Sequence, residues 1–473
     1  MLTATTNFKN VLASFHAGHI DLAVEIGGYS RVFVNRYTGT AGQYDWLVNV
    51  DDYAYTIKDT DGGADQGNLT FNVQDFDNLI TADFPNFVFE GKTVTVKVGL
   101  PGLAYSDWVV IFAGYIDTVN SENNNLEYQF SCLDVTGYLS TVVYQAGDDG
   151  LPTSETNYRT LNAHPLDLML DILLNQLKLD QSLVNSSAIQ AFRDGPYAGT
   201  QFTFYLQQPV AAADFILNQL LKPLGAYMFV SNGAITINSF FPIAVPTPVA
   251  TLGPDNWVNI PSAEQTGGNS SSNPLINYIQ WQFDKDDFGQ NGGYNSSDVQ
   301  RYAASLARYG VNNVGELTIT ADGMRSAFQG FFLAASVSYM IFLQYGFKML
   351  LFDSNSSDCQ WNVLLLESGD YVYVTHPDIP DRTTGDMGIT NKLFRIKNKT
   401  INFKEGLVLL TLIDSSYLST FGFYRIAHSY DPNIGDTPTP PYASASTSEK
   451  ARYMFECNGV DQYSNGDAAH ILG

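Results

Sequence analysis

Between Asp21 and Tyr144, apolar and polar positions alternate in short runs broken by turn signals. DLAVEI, SRVFVNRY, YAYTI, LTFNV, KTVTVKV, WVVIFAGYI and LEYQFSCL are rich in Val, Ile, Tyr, Phe and Thr, with GG, DGG and SENNN between them. Period-two runs of β-branched and aromatic residues predict strands, and so many at close spacing predict a barrel or sandwich. The period then lengthens. Pro165 opens a predicted helix with Leu166, Met169, Leu170, Leu173, Leu174 and Leu177 on one face. Pro209 opens a second, running through Ala213, Leu217, Leu220 and Leu221 and ending near Gly225. ILLNQL and FILNQL recur in these two helices, a likeness that six residues of amphipathic helix reach by chance. AYMFV-SNG-AITINSF predicts a hairpin turning at Asn232-Gly233. VPTPVATLGP then serves as a linker.

Strands resume at INYIQWQF, pause at DKDDFGQNGGYNSSD, and end with WNVLLLESGDYVYVTHPDIP, KLFRIKNKTINF and LVLLTLID. Between them, Ala327 to Phe347 carries no charge and is long enough to span a bilayer. Gln329, Ser336, Ser338, Gln344 and two glycines interrupt it, while Phe328, Phe331, Phe332, Ala335, Tyr339, Phe342 and Leu343 fall at helical spacing. A helix pinned between sheets fits better than a membrane span. Beyond Arg425, DPNIGDTPTPPYASASTSEK reads as a tether. The final segment carries Tyr453, Met454, Phe455 and Ile471, apolar residues suited to docking on a neighbouring subunit.

The first and last strand blocks share a construction. FEGKTVTVKV, FAGYIDTVN and YQFSCLD follow one another in the first; ESGDYVYVT, FRIKNKTIN and VLLTLID follow in the last. The spacing pairs Phe112 with Phe394 and Asp134 with Asp414, as two copies of one β-module would. Any two antiparallel meanders look alike to a degree, and identities between these are few.

Composition narrows the function. Hydrophobic content is 45%, but charged residues make up only 15%, against about 25% in ordinary domains. With 28 Tyr and 30 Phe, that profile suits a β-rich protein with broad contact surfaces. Lys and Arg number 24 against 48 Asp and Glu, a net charge of −24, which argues against stable binding of nucleic acid or anionic membrane. Cys132, Cys359 and Cys457 lie far apart without metal spacing, which fits a reducing cytoplasm. The first residues show no secretory signal pattern.

Catalytic patterns are missing: no GxSxG, HExxH, Walker A or dinucleotide fingerprint occurs. His16 and His19 lack a third ligand nearby, DTDGGADQGN and DKDDFGQNGG lack the terminal Glu of a calcium loop, and Asp51-Asp52 and Asp148-Asp149 lie in turn-like text. The reading is a non-enzyme with no catalytic, cofactor or metal residues.

Taken in order, LAVEIGGYS, WVVIFAGYIDTVN–YQFSCLD, VAAADFILNQLLKPLGAYMFVSNGAITI, PLINYIQWQFD and LLLESGDYVYVT–FRIKN–LVLLTLID resemble the tail hub proteins of bacteriophages over most of residues 20–415. The resemblance implies a mainly β fold with an α+β insertion, two similar β-barrel modules flanking a helix-containing domain. The implied division is 1–19, an N-terminal segment; 20–148, a first barrel; 149–250, the insertion; 251–425, a second barrel with the long buried helix; and 426–473, linker and docking tail. It also implies a homotrimer whose six barrels continue the tail tube as a conduit for DNA. The implied partners are the tail tube or distal ring protein, the tape measure protein, and tip or fibre proteins. The setting is the virion's tail tip or baseplate, after assembly in the host cytoplasm. Acidic lumen walls would keep a polyanion moving. Alternatives are another tail-tip protein (a hexameric distal ring or a receptor-binding adaptor) or a β-rich enzyme acting on glycans.

Overall fold

The computed structural model describes residues 1–15, 20–122, 126–145, 159–240, 246–265, 274–287, 293–310, 315–352, 358–381 and 384–416. All seven phrases before Tyr144 form strands, among them Asp21–Ile26, Tyr53–Lys58, Asn68–Gln74, Thr93–Gly99, Val109–Glu122 and Glu127–Asp134. Alternation does the work predicted of it. Leu69, Phe71 and Val73 turn inward from one strand, and Tyr128, Phe130 and Cys132 from its partner. Phe71 and Phe130 stack with centroids 4.8 Å apart.

The fold is mainly β, but the expected barrels do not close among the described residues. Seventeen strands join in one hydrogen-bonded sheet system. The cause is the strand Asp386–Asn402, which outlasts its hairpin partner Tyr371–Asp381. Its residues Asn398 to Ile401 pair instead with Thr56 to Tyr53 of the first block, fusing the two sheets.

Two hydrophobic cores result. One gathers side chains from the N-terminal strands, from Leu252 and Trp257, and from 350–412; the other runs from Val135 to Phe240, resumes at Ile276 to Tyr345, and takes in Leu351 and Ile413. The long helix, Ala327–Tyr345, lies in the second core. It packs on Trp281, Phe283 and Tyr302, inside the expected module 251–425, and on Gly225 and Phe240 of the insertion as well. Its buried face also differs from the predicted one. Leu333, Ala334, Val337, Met340 and Ile341 are buried, whereas Phe331 is 46% exposed and Ala335 faces outward. Phe342 and Leu343 are buried as expected, and the side chain of Phe328 is not among those described. A helix apolar on every side offers periodicity little contrast. Its buried polar groups are satisfied: Ser338 Oγ accepts from Trp281 Nε1 at 2.7 Å, and Gln344 donates to the Asp414 carbonyl. No described helix is long and apolar enough to cross a membrane.

The helix opened by Pro165 forms as predicted. The second begins at Ala212, because Val210 and Ala211 first pair with Val142 and Val143. ILLNQ and FILNQLL both widen into π-helix, each with an Asn reaching an Asp four residues earlier: Asn175 to Asp171 at 2.8 Å and Asn218 to Asp214 at 2.7 Å. The two phrases therefore share a conformation. The polar stretch read as a pause contains the strand Tyr294–Arg301, which with Tyr278–Lys285 and Glu316–Ala321 makes a separate sheet.

Candidate functional site

Hydrogen-bond register shows how alike the two β blocks are. In the first, Gly114 faces Asp134, Ile116 faces Cys132, Asp117 bulges out, and Thr118 to Glu122 face Ser131 to Glu127. In the second, Phe394 faces Asp414, Ile396 faces Leu412, Lys397 bulges out, and Asn398 to Asn402 face Thr411 to Leu407. Pair for pair, with the bulge at the same step, the ladders match at one constant offset. Each block also enters its meander through a glycine of positive φ, Gly91 and Gly369, whose N–H groups donate to the carbonyls of Ile116 and Ile396. Asp134 thus corresponds to Asp414, as expected. Phe112 does not correspond to Phe394: the register places Gly114 there, and Lys392 in the place of Phe112. The ring of Phe112 leans over Gly114, filling from two residues away the space that Phe394 takes directly.

That exchange gives the equivalent carboxylates different surroundings. Lys392 Nζ lies 2.9 Å from Asp381 and 3.0 Å from Asp414, between two buried carboxylates and itself nearly buried. Asp134 has Phe112 where Lys392 would be, and it accepts from Gly67 N at 2.9 Å and Thr136 N at 2.8 Å. Burial pushes its carboxyl upward, and those hydrogen bonds pull it part of the way back.

Where the blocks fuse, Lys399 pairs with Tyr55 across the ladder. Its amine is buried and donates to the Leu364 carbonyl at 2.6 Å. Burial lowers it to about 8, and Glu367 and Asp370 oppose that fall. Ser368 Oγ donates to the Tyr55 carbonyl at 2.7 Å, and the Tyr55 hydroxyl accepts from Val230 N at 2.7 Å. Glu367 accepts from Asn232 N and Ser231 Oγ, both at 2.9 Å, so the insertion's hairpin tip sits on the seam. The Met1 amine lies 2.8 Å from Asp370 and 3.1 Å from Glu367. A shallow cleft beside these groups is lined by Leu2, Val110, Val230, Glu367, Ser368 and Lys399.

The turn at that tip is the predicted one, with φ of 50° at Asn232 and 77° at Gly233. A Cβ on Gly233 would also meet Ala113 Cβ at 2.9 Å. Gly233→Ala will therefore cost about 1–2 kcal/mol through left-handed strain alone, read by urea unfolding. Unchanged stability would show that the turn relaxes, so that neither the positive φ nor the Ala113 contact constrains Gly233.

These groups lock chain segments together. Among the described residues, no three His, Cys, Asp or Glu side chains could hold a metal. Asp51 and Asp52 sit exposed between strands. DTDGGADQGN packs inward, its Gly62 carbonyl accepting from Met228 N at 3.0 Å. His16, His19, Asp148, Asp149 and the docking residues Tyr453, Met454, Phe455 and Ile471 lie outside the described residues. Sequence reasoning missed Lys392 and Lys399. One available signal was the cluster of cations Arg395, Lys397 and Lys399 within a strand, and all three are buried.

No family model matches the chain, and no curated protein matches it. It is similar in outline to a solved tail protein from Neisseria meningitidis MC58, at 11% identity and TM-score 0.44 over 85% of this chain and 98% of that one. The 43 kDa tail protein of prophage MuSo2 from Shewanella oneidensis gives 12% identity and TM-score 0.47, covering 84% and 99%. Prophage tail protein gp18 from Listeria monocytogenes EGD-e gives 11% and 0.39, covering 84% and 96%.

Proposed function

We propose that this chain is a structural hub of a phage-type tail tip, three copies of which form a ring. The duplicated ladder carries the reading: two register-identical β blocks in one chain give a trimer six near-equivalent units. Such a ring can continue a sixfold tube while its outer surface is only threefold. The insertion's hairpin bonds to both blocks, to Glu367 of the second and Tyr55 of the first, and so ties them together. The low count of Lys and Arg suits a conduit that passes DNA without holding it. The partners in this reading are the tube or distal ring protein above, the tape measure within, and tip or fibre proteins below. Domains 20–148 and 251–425 are the two ring units, and the chain works in the virion without catalysis.

Mass measurement separates this from a hexameric ring. Light scattering of the full chain with its tail-tip partners should give three copies of the 52.1 kDa chain per ring. Six copies, or a chain that never associates, would sink the proposal.

A further inference from the structure

The seam inside the chain has an unfilled counterpart at each end. The acceptor edge of the seam is Asn398 to Ile401, which correspond in register to Thr118 to Ser121 of the first block. No strand pairs with that outer edge of 118–121 among the described residues. Covered by 53–56, Lys399 and Ile401 are buried and Asn398 and Thr400 half-buried; uncovered, their counterparts are all more exposed, with Val119 half-buried and Ser121, Thr118 and Asn120 exposed. The bulge at Asp117 even turns the strand at the step where Lys397 turns its equivalent.

The donor edge is repeated as well. Asn68 faces Leu133 in the first block as Leu351 faces Ile413 in the second. Ala54 pairs with Asn68, and Glu264 pairs with Leu351. Glu264 therefore stands where Ala54 stands, and the short strand Ala263–Gln265 stands where Tyr53–Tyr55 stands. Within the chain, Ala54 pairs with Thr400 across the seam, and Thr400 corresponds to Asn120. The free side of 263–265 has no strand beside it among the described residues.

We propose that the edge 118–121 of one copy pairs antiparallel with the strand 263–265 of a second copy, with Asn120 opposite Glu264, Val119 opposite Gln265 and Ser121 opposite Ala263. The occupant is another copy of this chain because this chain already contains the same joint, donor and acceptor both. The two edges differ, so the contact is head to tail, and such contacts close into rings or run on as filaments. Pairing also covers two strand edges left unpaired among the described residues, edges that would otherwise invite aggregation. Closure after three copies rests on the hub reading above; the pairing itself does not.

Residues opposite one another in an antiparallel ladder have Cα atoms about 4.5–5.5 Å apart, within the range of a disulfide. In full-length chain carrying Cys457→Ser, the pair Asn120→Cys and Glu264→Cys should cross-link between copies on copper-catalysed oxidation. Cys132 and Cys359 are buried and stay silent. The product on a non-reducing gel should be a ladder that collapses to one closed species, at least tenfold more abundant than with either single variant. If the chain associates by light scattering but the pair links no faster than the single variants, this pairing is wrong and the hub reading stands. If the chain is monomeric at every concentration, alone and with its tail-tip partners, both fail.

Discussion

Lys392→Ala will destabilise the protein by about 3–5 kcal/mol, the range found when one member of a buried ion pair is deleted. The lysine is 9% exposed, and the two carboxylates it bridges, Asp381 and Asp414, are 10% and 3% exposed. Without the ammonium, two carboxylates remain in a site too dry to solvate them, at the end of a ladder that defines the second block. Urea unfolding of the variant measures the loss, and a second substitution tests its origin. Adding Asp381→Ala should return part of the stability, because it removes one of the stranded charges. A loss below about 1 kcal/mol for Lys392→Ala would mean that water reaches the trio, and the exchange of Phe112 for Lys392 would then have no energetic weight.

Lys399→Met, by contrast, will stabilise the fold at neutral pH. A fall from 10.5 to about 8 means that charging this amine costs about 3 kcal/mol more in the folded chain than in the unfolded one. Methionine fills a similar volume without that cost. It also leaves the Leu364 carbonyl without its donor, which returns about 1 kcal/mol. The net gain is about 2 kcal/mol at pH 7. Between pH 8 and 10.5 the unfolded chain holds the Lys399 proton and the folded chain does not, so the wild-type contribution rises with pH. The advantage of Lys399→Met should shrink across that window and turn into a deficit of about 1 kcal/mol above it, the lost hydrogen bond to Leu364 remaining. Unfolding curves at pH 7 and pH 10.5 decide the matter; a gain that ignores pH would place its origin in packing alone.

Alternation made the two β blocks legible, and the spacing of glycines and aspartates made their kinship legible. Phe112 misled because side-chain volume was matched where backbone register differed, with Gly114 under its ring. The face of the long helix was misread because Phe331 and Val337 look equally apolar in one dimension, and only the packing of the insertion separates them. The strand Tyr294–Arg301 was hidden because its inner face is only half-buried and its residues are those of turns. The seam was invisible for a deeper reason. A backbone ladder between distant segments imposes no residue type, and the three buried cations near it look like solvent-facing residues in a sequence.

Ribosomes add roughly 5–20 residues per second. Tyr55 therefore emerges well before Ser368, 313 residues later, is made to bond its carbonyl. The interval lasts on the order of 15 to 60 s, while hairpins of the first block form in microseconds. For most of its synthesis, the nascent chain carries a finished meander with the strand Tyr53–Lys58 open along one side. Many ribosomes translating one message would hold many such half-built sheets at high local concentration, each a template for its neighbour. Late completion of the seam makes synthesis the period of greatest aggregation risk, and it ties the yield of this protein to whatever shields that strand until residue 401 arrives.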